Sequence, residues 1–240
     1  MGLTDLFIVL VTGVLAILVS FALDLLWARV SGAGSIYFLV RTPGIIVHEC
    51  SHILGCLLTG AKVTRVVFIS KTGGSVTYTR SPVPFLGDVI INSAPLFCIP
   101  LFLYGCTWVF TTFLGCSIPV LTISSGSAGA IPVIAGRIAG MFVQNLVTRF
   151  NPWFLLYLYL TLSLVLSLAP SAQDVKNAAA GIVLIALVCA AVVWSGIPFL
   201  VSLLDQILGV VGTGLGLGLG FEILALVISL PLVVLYSNRR

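Results

Sequence analysis

The sequence predicts an α-helical polytopic membrane protein, with about six transmembrane helices and a small membrane-associated β-hairpin after the second. Three observations lead there. Of 240 residues, 60% are hydrophobic and only 8% charged, against about 25% charged in an ordinary soluble domain. The mean hydropathy is +1.24. The apolar residues fall into runs near the ~20 residues one helix needs to cross a bilayer, and one alternating, polar stretch interrupts them. Such a chain cannot cover a water-facing surface. It leaves no room for a second soluble domain, so residues 1–240 read as one transmembrane domain. Repeats and long charge runs are absent, which argues against a water-soluble nucleic-acid binder.

The elements follow in order. The first span covers about 3–26, with Asp24 and Arg29 at its far end. It lacks a basic leader and a small-residue cleavage site, so it reads as a retained span rather than a signal peptide. The second covers about 35–59 and contains Arg41, Pro43 and the run HECSH. From 63 to 80 the chain alternates β-branched and polar residues around Gly73-Gly74. This predicts a hairpin, Val63–Ser70 against Ser75–Arg80, at the membrane surface. The third span covers about 88–114 and includes Pro95 and Pro100. Residues 116–149 read as an interfacial amphipathic helix edged by Arg137 and Arg149, or as a re-entrant segment. Asn151-Pro152 opens a fourth span, about 151–168. The polar sequence APSAQDVKN separates it from a fifth, about 178–204, and a sixth covers about 207–236.

Basic residues orient this arrangement. Six spans put Lys62, Arg65, Lys71, Arg80, Lys176, Arg239 and Arg240 on one side and Arg29, Arg137 and Arg149 on the other. Both termini are therefore expected in the cytosol. The six cysteines lie in apolar runs without a C-x-x-C pair, as small packing residues do.

Both histidines of the chain lie in His48-Glu49-Cys50-Ser51-His52. On a helix, residues four apart share a face, and two imidazoles so placed can hold one zinc ion. Glu49 sits on the neighbouring face, where a carboxylate can take a proton from a zinc-activated water. Ionisable groups within an apolar helix are costly and usually functional. Such a zinc takes a third protein ligand. Asp5, Asp24 and Asp205 read as span-end residues, and Asp88 suits a helix N-terminus. Asp174 and Glu222 remain. The second and fourth spans travel in the same direction and Asp174 follows the fourth, which favours Asp174; Glu222 lies near mid-membrane in the sixth.

These residues resemble the site-2 protease family of intramembrane zinc metalloproteases. The likeness rests on HECSH in an early span, a β-like segment after it, a proline-containing middle span and an Asp after a later one, over about 35–180. It implies Zn2+ held by His48, His52 and Asp174, with Glu49 as general base. It also implies a minimal member without a PDZ-like insert, acting on a transmembrane protein or peptide in the lipid bilayer. Asn92, in Asn92-Ser93-Ala94-Pro95, loosely matches the family's middle-span pattern and would bind substrate backbone or an oxyanion. The family usually supplies its Asp from L-D-G or N-P-D-G; here the sequence is S-A-Q-D.

A transmembrane substrate must unwind to expose a peptide bond, and its freed backbone needs partners in lipid. The hairpin at 63–80 could provide them by strand addition, or it is a simple surface hairpin. Gly212, Gly216 and Gly220 make a smooth face for helix packing, with a substrate gate as the alternative. Two rival functions stay open. One is a prenyl-protein-processing type of membrane zinc protease with Glu222 as third ligand. The other is a transporter whose HECSH binds a metal cargo.

Overall fold

Apolar runs in a setting without water must satisfy their own backbone groups, and the helix does so within one segment. A computed structural model describes residues 3–30, 35–70, 73–82, 86–119, 131–168 and 172–237. The chain is mostly helical: α1 (Leu3–Val30), α2 (Ser35–Thr59), α3 (Leu86–Thr112), α4 (Ile131–Phe142), α5 (Pro152–Leu166), α6 (Ala172–Ser195) and α7 (Pro198–Ser237). Strands β1 (Val63–Val67) and β2 (Ser75–Tyr78) form an antiparallel pair between α2 and α3.

Among the described residues, three helical segments are long and apolar enough to cross a membrane: Leu6–Ala28, Leu86–Thr112 and Pro198–Ile223. The polar residues of HECSH and Arg41 lower the hydropathy of α2, and α5 is short. The outer surface carries large apolar side chains, among them Phe7, Leu57, Leu58, Phe199 and the almost fully exposed Trp194. Lipid, rather than water, matches such a surface.

The hairpin is shorter than the sequence suggests. Its partners run from Val63 opposite Tyr78 to Val67 opposite Ser75, with an irregularity between Val63 and Arg65. Phe68 to Ser70 fall outside it, because pairing stops where the chain turns toward Gly73 (φ +112°). At the far end Thr79 and Arg80 lie beyond the strand, although the Thr79 N–H still donates to the Lys62 carbonyl at 2.9 Å. Two helix boundaries also match the sequence signals. Gly60 (φ +73°) ends α2, and the Ala61 N–H returns to the Cys56 carbonyl, the pattern of a helix closed by a left-handed residue. Asn151 caps α5, its side chain accepting the Trp153 N–H at 3.0 Å.

The last two spans are divided elsewhere than expected. The turn lies at Gly196 (φ +63°) and Ile197, after which Pro198 starts a 40-residue helix. Asp205 is an exposed residue in the second turn of α7, not the end of a span. Proline at the first helical position outweighed the acidic residue as a boundary signal.

Side-chain pairs fix the helix directions. Leu39, Gly44 and His48 of α2 meet Tyr159, Ser163 and Ser167 in step, so α2 and α5 run parallel. Val9 meets Gly212, Gly13 meets Leu215, Pro100 meets Gly214 and Leu103 meets Gly218, so α1, α3 and α7 share one direction. Leu6, Cys189 and Leu208 share one apolar cluster, which folds α6 back along α7 at Gly196. Helices α5 and α6 therefore run the same way in succession. The main core lies where α1, α3, α5 and α7 meet, around Ala16, Leu103, Phe154, Tyr157 and Leu215.

Glycine sets the closest approaches. A Cβ at Gly214 would fall 2.3 Å from the Pro100 carbonyl oxygen. Gly212 faces Val9 instead, so glycines two residues apart pack against different neighbours, α1 and α3. Asp24, Arg41 and Tyr37 join α1 to α2: Arg41 pairs with Asp24 at 3.3 Å, and the Tyr37 hydroxyl donates to Asp24 at 2.6 Å. That partnership accounts for a cation within α2.

Candidate metal centre

Two glycines bracket the HECSH turns of α2. Gly44, four residues before His48, lies against Ser163 of α5; a Cβ there would fall 2.0 Å from the Ser163 carbonyl oxygen. Gly55, three residues after His52, lies against Ile91 of α3, with 2.8 Å to its Cα. The absence of side chains lets α5 and α3 close on α2 from two sides. Pro43 contributes as well. It has no N–H to give the Leu39 carbonyl, which accepts the Tyr159 hydroxyl at 2.9 Å. The Gly44 N–H goes to Ser163 Oγ at 2.7 Å.

This packing brings one backbone carbonyl to each histidine. His48 Nδ1 lies 2.8 Å from the Ser167 oxygen, and His52 Nδ1 lies 2.9 Å from the Ile91 oxygen. A carbonyl oxygen only accepts, so each Nδ1 carries the proton. In a neutral ring the lone pair then belongs to Nε2. The two Nε2 atoms face each other at 3.2 Å. Lone pairs so close repel unless a cation or a proton lies between them. Two nitrogens each about 2.0–2.1 Å from one tetrahedral zinc are themselves about 3.3 Å apart. The observed spacing fits that requirement, and donation of the outer N–H to a carbonyl is the usual support of a zinc-bound histidine. Both rings are buried, as is Glu49.

Glu49 lies under the hairpin. A Cβ on Gly74 would fall 2.5 Å from both Glu49 Cγ and Oε1, so the chain entering β2 rests directly on the carboxylate. At the other end of β2, the Tyr78 hydroxyl takes a 3.4 Å hydrogen bond from Asn92 Nδ2. Asn92 also donates to the Asp88 carbonyl. Strand β2 thus extends from the HECSH helix to the residue beside Ile91, and Asn92 anchors the hairpin to α3.

Asp174 falls in the first turn of α6, seven residues beyond Ser167, and its side chain lies outside the described residues. Among the described residues no group of three or more metal-ligating side chains converges. Glu222 does not join the histidines. Gly218, one turn before it, lies against Leu103, twelve residues along α3 from Ile91. Twelve helical residues span about 18 Å. Glu222 is instead fully buried in α7, its two oxygens without a hydrogen-bond partner among the described residues.

The two histidine rings are legible in the sequence, but what orients them is not. The contributions of Ile91, Ser167, Gly44, Gly55 and Gly74 are backbone carbonyls and missing side chains. Only the spacing of the two glycines around HECSH hinted at them. Comparison of the chain with family models, with curated proteins and with solved structures finds no match.

Proposed function

We propose that this chain is an intramembrane zinc metalloprotease, resembling the site-2 protease family, that hydrolyses peptide bonds of membrane-protein substrates within or near the bilayer. The convergence of two buried Nε2 atoms at 3.2 Å, each ring held by a backbone carbonyl, carries the proposal. His48 and His52 would hold the ion, with Asp174 as third ligand. When bound, zinc supplies Lewis acidity, lowering the pKa of water and polarising a carbonyl. Glu49 accepts the proton of the attacking water on its carboxylate and passes it to the leaving amine. Burial of Glu49 under Gly74 keeps bulk water from that carboxylate until substrate displaces or extends the hairpin.

Substrate backbone would find partners on the edge of β2 away from β1, in the strand that runs from beside Glu49 to Asn92. The separation of Glu222 from the histidines speaks against the prenyl-processing arrangement.

The helix directions support five crossings rather than six. Because α5 and α6 run the same way in succession, the two helices together count as one crossing. The termini then lie on opposite sides. Charge no longer orients the chain: Lys62, Arg65, Lys71 and Arg80 bound one side, Arg29, Arg137, Arg149, Arg239 and Arg240 the other. Accessibility of terminal tags in sealed vesicles tests this, with only one tag expected to react from each side.

Metal analysis of the purified protein, beside cleavage of a transmembrane test substrate, tests the activity. About one zinc per chain is expected. Glu49→Gln keeps the zinc and loses cleavage, whereas Asp174→Asn loses the zinc. A carefully prepared protein without zinc overturns the proposal; Glu49→Gln with cleavage intact turns it toward a metal carrier.

A further inference from the structure

An α-helix spends each carbonyl on the N–H four residues later, so a helix interior normally offers no acceptor to a neighbour. Proline breaks that rule because it has no N–H. Pro95 lies inside α3, fully buried, and the carbonyl it leaves unbonded is that of Ile91. Ile91 is the residue whose oxygen accepts the Nδ1 proton of His52 at 2.9 Å. The same device is seen at Pro43, which leaves the Leu39 carbonyl for the Tyr159 hydroxyl. His48 finds its acceptor differently. Ser167 follows the last residue of α5, where helix carbonyls lack partners because the helix stops.

We infer that Pro95 is a positioning residue of the metal centre: by withholding an N–H from the Ile91 carbonyl, it makes that carbonyl the acceptor that sets the tautomer and orientation of His52. The inference rests on the zinc reading given above. The chain of causes is short. Pro95 frees the carbonyl. Gly55, with 2.8 Å from its Cβ position to the Ile91 Cα, lets α3 come near enough for the carbonyl to reach the ring. The accepted Nδ1 proton forces the lone pair onto Nε2, which then faces His48 Nε2 at 3.2 Å. An alanine at 95 would restore the N–H, which would compete with His52 for the one oxygen. The His48 support, through Ser167, would stay as it is. Such outer partners of metal-bound histidines typically carry 10–100-fold in metal affinity.

Two measurements test this on the full-length protein in bilayers. The first is zinc affinity by chelator competition. Pro95→Ala is expected to weaken zinc binding about 10–100-fold; unchanged affinity overturns the inference. The second is magnetisation transfer in the solid state, using 15N-histidine with either 13C-carbonyl isoleucine or 13C-carbonyl serine. The unmutated protein, with or without zinc, should show one isoleucine and one serine carbonyl close to histidine Nδ1. Pro95→Ala should lose the isoleucine contact and keep the serine contact. A general loss of the fold would remove both contacts, and Pro100→Ala, which alters α3 away from Ile91, should keep both. Should Pro95→Ala fail to fold, the unmutated protein decides alone, since absence of the isoleucine contact overturns the assignment. Failure of the unmutated protein to bind zinc, with the isoleucine contact present, refutes the protease reading and leaves the role of Pro95 in orienting His52 standing.

Discussion

Replacing Gly74 by alanine would separate the proposed base, Glu49, from the proposed metal ligands, His48 and His52. The new methyl would sit 2.5 Å from Glu49 Cγ and Oε1 and 2.7 Å from Cδ. Carbon atoms pack no closer than about 3.5 Å without repulsion, so either the carboxylate or the hairpin must move by about 1 Å. A misplacement of that size at a reacting group costs about 100-fold in rate, equivalent to about 2.7 kcal/mol of transition-state stabilisation. The ligands point to another face of α2, and their orienting carbonyls belong to α3 and α5, so zinc should stay bound. The assay is kcat/KM for a transmembrane test substrate beside zinc content and the thermal midpoint. A drop of about 100-fold in kcat/KM with unaltered zinc is expected. Gly73→Ala offers a contrast: nothing lies within 4 Å of its Cβ position, but its φ of +112° resists a side chain, so its cost should fall on stability. Full activity in Gly74→Ala would show that Glu49 needs no fixed position, and the reasoning from hairpin to base would collapse.

Three further outcomes are expected. Gly44→Ala and Gly214→Ala both force a Cβ into a neighbouring backbone, at 2.0 and 2.3 Å respectively, and each should lower stability by about 1–3 kcal/mol in detergent melts. Only Gly44→Ala should also weaken zinc binding, because it alone disturbs the approach of Ser167 to His48; equal zinc affinity in the two variants would contradict that. Glu222→Met should keep full zinc content and match or exceed the parent in thermal midpoint, since it removes a buried polar group without partners among the described residues; loss of zinc would restore Glu222 as a ligand. Asp24→Asn and Arg41→Met should each destabilise more than half as much as the double variant, by about 0.5–1 kcal/mol per single change for a partly exposed pair, and simple additivity in the double-mutant cycle would show the pair to be uncoupled.

Much of the fold was legible because the physics that shapes a lipid-facing helix acts on composition. A run of twenty apolar residues has few alternatives. The boundaries that read correctly, at Asn151-Pro152 and Gly60, are those where one residue type has one local use. The boundary that failed, near Asp205, depended on a charge, and an exposed charge is tolerated in a helix whenever it reaches an interface. Gly196-Ile197-Pro198 held the stronger signal, a left-handed residue followed by a helix-starting one. Direction was hidden for a different reason. Whether two successive helices reverse or continue depends on which neighbours their faces meet, and the polar stretch between α5 and α6 suits either outcome. The positive-inside count inherited that ambiguity, since moving one crossing transfers the C-terminal pair of arginines to the other side.

The site shows the same division between chemistry and support. His48, Glu49 and His52 declare themselves because side chains would carry the proposed reaction, and their types and spacing are printed in the sequence. What aims them is backbone: a carbonyl at a helix end, a carbonyl left by a proline, and three glycines that let neighbouring chains come close. Backbone groups are the same at every position, so their use is visible in sequence only through the residues that free or expose them. Proline inside a helix frees the carbonyl four residues earlier, and that carbonyl must find a donor if it is buried. For Pro43 the donor is a tyrosine, for Pro95 a histidine. A proline in an apolar helix is thus better read as the address of an acceptor than as a bend, and the useful question is which donor in the chain has no other place to go. With two histidines in 240 residues, and each needing its outer nitrogen held before the inner one can serve a metal, the middle span of this protein already named one of the holders.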